Sequence, residues 1–98
     1  MIRIAICDED QMNCSMIEKN ILGYCKRNNT KMEIEVFYSG VELVNFILKE
    51  YCFDLIFMET NLKDISGITI GKILRDLLDI QTAQIVYMSK SDQNVMEL

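Results

Sequence analysis

Apolar residues along this chain follow two alternating periods. Ile2, Ile4, Ala5 and Ile6 form a short apolar run that stops at Asp8-Glu9-Asp10, as a strand would. From Gln11 the period becomes helical, with Ile17, Ile21 and Tyr24 at i, i+4 and i+7, and the polar stretch "KRNNT" is expected to break that helix. "MEIEVF" alternates apolar and acidic residues, the pattern of a strand with one face more exposed. Ser39, with Glu42 three places on, has the form of a capping box, and Leu43, Phe46 and Ile47 carry the helix behind it. "FDLIFM" reads as a strand buried on both faces. Ile70, Ile73, Leu74, Leu77 and Leu78 make the clearest helical stripe in the chain. "QIVYMS" reads as a fourth strand, and "SDQNVMEL" as the opening of a further helix capped by Ser91 or Asp92.

Strand and helix patterns thus alternate with no hairpin signal between strands, which predicts an α/β fold with a parallel sheet. At 98 residues, 1–98 is expected to be one domain. A formal charge of −5 with scattered basic residues argues against a nucleic-acid surface, which needs clustered Lys and Arg. Met1 runs straight into the first strand, without a signal peptide, and no apolar run approaches a membrane span, so a cytoplasmic location away from membranes is expected. The four cysteines form no C-x-x-C pair and histidine is absent, which disfavours a zinc site and excludes a Ser-His-Asp or Cys-His pair within the chain.

In open parallel sheets, ligands gather outside the carboxyl ends of the strands. Asp8, Glu9 and Asp10 follow the first strand, Glu59 the third, and Ser89 and Lys90 the fourth. Carboxylates grouped at one edge repel one another unless a cation lies between them, and oxygen-only ligation in a wet site suits Mg²⁺. A hydroxyl such as that of Ser89 beside it suits a phosphoryl group. The competing reading is plain: acids ahead of a helix are favoured by its dipole and by capping, and Glu59 alone could be a strand end meeting water.

These residues resemble the CheY-like receiver domain of two-component response regulators, in order and spacing along essentially the whole chain. "IRIAICDED" resembles its first strand and acidic pair, and "SGVELVNFI" the opening of its second helix. "FDLIFMETNLKDISGI" resembles the stretch around the phosphoacceptor, and "IVYMS" the fourth strand with its terminal hydroxyl. The wording is most similar to receivers that carry LytTR-type DNA-binding domains. The resemblance implies a CheY-like, flavodoxin-like three-layer sandwich with strand order 2-1-3-4. It puts Glu59 at the phosphoacceptor position, with Asp8, Glu9, Glu59 and the backbone carbonyl of Asn61 as Mg²⁺ ligands. Ser89 takes the place of the switch hydroxyl, and Gly67 that of the glycine opening the third helix.

Three departures follow. Glu59 stands where the family has aspartate, and its extra methylene moves the carboxylate outward by roughly an ångström, enough to spoil tightly positioned transfer. Lys63 replaces a proline, which leaves the loop less pre-set. The chain ends before the family's fifth strand and fifth helix, so a C-terminally truncated receiver is expected, with self-association through the uncovered fourth strand. The implied function is signal input in a phosphorelay, with a sensor histidine kinase as partner and transcription regulated through an output domain elsewhere, and with phosphorylation impaired or mimicked by Glu59. Two rivals stand beside it: a haloacid-dehalogenase-like phosphohydrolase using Asp8 and Asp10, and a metal-free protein-interaction module.

Overall fold

The computed structural model describes residues 1–50 and 53–89. Four strands, β1 (Ile2–Cys7), β2 (Met32–Phe37), β3 (Leu55–Glu59) and β4 (Gln84–Met88), alternate with three helices, α1 (Gln11–Asn28), α2 (Gly40–Lys49) and α3 (Gly67–Lys72). The sheet is parallel, in order β2-β1-β3-β4. Both the fold class and the strand order expected from the sequence are therefore present. The suggested fourth helix and its caps lie outside the described residues, as do Lys90 and Cys52.

Alternation along the strands divides the core in two. Ala5 and Cys7 of β1 and Ile56 and Met58 of β3 face α2 and α3, packing with Leu43, Ile47, Ile70 and Leu74. Ile4 and Ile6 face α1 and pack with Cys14, Ile17 and Ile21, along with Leu55 and Phe57. The two layers are unequal. Ile56 and Met58 are fully buried, but Leu55 and Phe57 are only half-buried, so β3 is not covered on both faces as its apolar run implied. Among the described residues, α1 is the one helix packed on that face.

Three helical details also differ from expectation. Helix α1 runs through Lys26, Arg27 and Asn28 and stops at Asn29, whose left-handed backbone (φ 52°) ends it. Lys26 and Arg27 complement the helix dipole in the last turn, which explains why a polar run extends the helix here. Its buried positions are Cys14 and Cys25, whereas Tyr24 is exposed. In the third helix, α3 passes into a π-helical segment, Ile73–Leu77, where the Leu78 N–H donates to the Ile73 carbonyl at 3.0 Å. The wider turn rotates Leu77 into solvent, while Ile70 and Leu74 stay buried.

Candidate functional site

The carboxyl edge of the sheet brings β1 and β3 side by side, with Cys7 paired to Met58. One residue beyond that pair lie Asp8 and Glu59, the two buried charged side chains among the described residues, 0% and 1% exposed. Each is held by its own loop. Asp8 Oδ1 accepts from the Asp10 N–H at 3.0 Å, and Asp8 Oδ2 accepts from Asn13 Nδ2 at 2.6 Å. Glu59 Oε2 accepts from the Asn61 N–H at 3.2 Å and from the Thr60 hydroxyl at 3.4 Å. The second Glu59 oxygen, Oε1, is buried without a hydrogen-bond partner. A buried carboxylate oxygen left this way costs free energy, so some compensating use is called for.

Glu9 turns elsewhere. Its Oε2 accepts from the backbone N–H of Lys63 at 2.8 Å, across to the loop between β3 and α3. Asp10 is an exposed helix cap, accepting from the N–H groups of Met12 and Asn13 at 3.0 and 3.2 Å. The acids after β1 therefore have three separate tasks, and the second aspartate that a haloacid-dehalogenase site would use is committed to capping. Ser89 follows Met88, which pairs with Glu59 on β3, so it stands at the same edge.

Hard oxygen donors suit Mg²⁺, but their placement does not match the donor type. Among the described residues, no three Asp, Glu, Cys or His side chains are grouped to hold an ion. As placed, the carboxylates do not fit a shared metal, and Glu9 is the member most clearly turned away.

The loop after β3 is built from close contacts. The Gly67 N–H and the Ser66 hydroxyl both donate to the Thr60 carbonyl, at 3.0 and 3.3 Å. Gly67 opens α3 behind the Ser66 cap, and its bare Cα lies against the Glu59 backbone. Asp64 reaches across to α2, accepting from the N–H groups of Gly40 at 3.2 Å and Val41 at 2.8 Å, while Ser39 Oγ accepts from Glu42 at 3.2 Å. Three N–H groups in the first turn of α2 are thus satisfied by side chains. Glu42 completes the capping arrangement by accepting from the Tyr38 N–H at 2.9 Å.

Slight burial acts to raise the Asp64 pKa, but the N–H groups of Val41, Ile65, Gly40 and Asp64 itself hold it below its ordinary 3.8. A depressed carboxyl stabilises the fold above that ordinary value, and this contribution is lost as pH falls through the depressed one. Beneath the site, burial first, then the nearby Asp64, Cys14, Asp8 and Glu42, push the Cys7 thiol up to about 12. It stays protonated and donates to the Ser39 carbonyl at 3.5 Å.

Sequence reasoning placed Asp8, Glu59 and Ser89 at this edge but missed Asn13, Thr60 and Asp64. Asn13 and Asp64 act across five residues or more, with no local motif to mark them. Lys63 did carry a signal: any residue but proline brings an N–H to that position.

No family model and no curated protein sequence matches the chain. Solved structures do. It is similar to the receiver domain of a Francisella response regulator at 22% identity and TM-score 0.72, over 99% of this chain and 74% of that one. It is similar to the Thermotoga maritima response regulator TrrA, solved in complex with Mg²⁺ and BeF, at 19% identity and TM-score 0.74, over 100% and 77%. With a two-component response regulator from Clostridium difficile it shares 30% identity at TM-score 0.71, over 98% of this chain and 73% of that one. No helix among the described residues is long and apolar enough to cross a membrane. With that identity along nearly its whole length, on the fold and strand order described above, the chain belongs to the CheY-like receiver domains of two-component response regulators.

Proposed function

We propose that this receiver domain takes part in phosphorelay signalling with Glu59 as a built-in negative charge at the phosphoacceptor position rather than as an acceptor. The observation that carries the reading is Glu59 itself, only 1% exposed at the end of β3 with Oε1 unpartnered. A carboxylate kept there against its desolvation cost is serving the site, not the core. Its length works against transfer, because in-line attack depends on sub-ångström placement. A sensor histidine kinase is the partner class the family implies, and an output domain acting on transcription is the consequence the wording of the sequence favours. In this reading the Ser89 hydroxyl responds to charge at this edge. The experiment is exposure to Mg²⁺ and a small acyl-phosphate donor, read by intact mass: the chain is expected to gain no phosphoryl group.

Self-association through β4 is part of the same proposal. The other sheet edge, β2, carries exposed Glu33 and Glu35, charges that discourage pairing. Residues Gln84–Met88 of β4 include no charge, and Val86 and Tyr87 are exposed. Light scattering at rising concentration is expected to show dimers that a Val86→Lys variant loses. A monomer at every concentration would contradict this.

A further inference from the structure

We infer that the apolar groove between α1 and the β3–β4 half of the sheet is the docking site for a second copy of this chain, packed groove to groove across a two-fold axis. This deepens the self-association proposed above and rests on it, extending the contact from the β4 edge onto the sheet face beside it. The groove has a volume of about 610 Å³. Leu55 and Phe57 of β3 line it with Val86 and Met88 of β4, and α1 contributes Ile17 and Tyr24. Strand alternation sorts the β3 and β4 residues to this side, since Ile56, Met58 and Ile85 pack in the opposite layer. Tyr24 and Val86 are 56% and 41% exposed, so the apolar surface runs open from the helix to the last strand. A contiguous apolar patch of this kind marks an interaction site.

The occupant follows from charge, chain direction and continuity. No residue lining the groove is charged, in a chain whose formal charge is −5. Acidic copies repel one another over most of their surface and can meet where charge is absent, while a basic partner finds nothing in the groove to pair with. The chain's own end is directed elsewhere. A right-handed crossover leaving β4 on its outer side runs over the α2 and α3 face, as the crossover from β3 through α3 does, and so away from the groove. The groove also reaches the β4 edge through Val86 and Met88, so one isologous contact covers both surfaces. A single groove of this size belongs with the small, weak interfaces, and the dimer is expected to dissociate at about 10–100 µM.

The test follows the 98-residue chain by light scattering at rising concentration, with the methyl NMR signals of Ile17 and Leu55 as reporters of the groove. The mass is expected to rise toward that of a dimer while both methyl signals shift with it. Tyr24→Glu puts a charge on the groove away from the β4 edge and should weaken the dimer at least about tenfold, whereas Tyr24→Phe should leave it intact. Should Tyr24→Glu fail to fold, the wild-type methyl signals still decide. A Tyr24→Glu variant that dimerises like the wild type, beside a monomeric Val86→Lys, confines the association to the strand edge and overturns the groove. Methyl signals that ignore concentration but shift when residues 90–98 are deleted assign the groove to the chain's own end, which also overturns it. A wild type that stays monomeric throughout overturns the groove and the β4 association together.

Discussion

Gly67→Ala is expected to lower the melting temperature by about 10 °C, a net loss of about 2 kcal/mol for a domain of this size. Two effects oppose each other at this position. Alanine is the better helix former by ~1 kcal/mol, which by itself would make the change stabilising. Against it, a Cβ on residue 67 would overlap the Glu59 carbonyl oxygen and approach its carbon and Met58 Cγ to 2.9 Å. These neighbours are strand backbone and a fully buried side chain, so neither can step aside as a flexible surface group would. Overpacking of this kind costs about 1–3 kcal/mol, and here it falls at the upper end. The same displacement would shift Glu59 and break the hydrogen bond from the Gly67 N–H to Thr60. A melting temperature equal to or above that of the wild type would mean that the loop yields freely, which its dense hydrogen bonding argues against.

Glu59→Met is expected to act in the opposite direction, raising stability by about 1–2 kcal/mol, or about 5–10 °C. Methionine keeps the length and flexibility of the side chain but removes a buried charge, including the unpartnered Oε1. It also removes repulsion from Asp8, buried at the end of the neighbouring strand. What is lost are the bonds from the Asn61 N–H and the Thr60 hydroxyl to Oε2. Asn61 is exposed, so water can satisfy its N–H once the carboxylate is gone, and that loss is small. A more stable variant identifies Glu59 as a residue held for function at a cost to the fold. A drop in stability would make it a structural anchor of the loop, and the built-in-charge reading would lose its main support.

The fold was legible because each level of the sequence agreed with the next. The alternation of Ile4 and Ile6 against Ala5 and Cys7 sorts the core into its two layers, and Ser39 with Glu42 starts α2 as the capping pattern implies. What could not be read was how far each face is covered. An apolar run such as that from Leu55 to Met58 has the same appearance whether one side meets a full helical layer or only α1. The π-helical turn at Ile73–Leu77 is likewise invisible to a 3.6-residue period, which is why Leu77 was placed with the buried stripe. At the site, the positions of Asp8, Glu59 and Ser89 followed from strand ends alone. The separate use of each acid did not, because the partner of Glu9 lies far away in sequence and is a backbone N–H, which leaves no pattern in side chains.

The most direct measurement of the central claim compares the wild type with Glu59→Asp after exposure to Mg²⁺ and a small acyl-phosphate donor, by intact mass and then by peptide mapping. No phosphoryl group is expected on the wild type at any time point. A labelled fraction is expected at residue 59 in Glu59→Asp, where the carboxylate is drawn back by one methylene. Ready labelling of Glu59 in the wild type would contradict the claim, since Glu59 would then be an acceptor and not a standing replacement for the phosphorylated state.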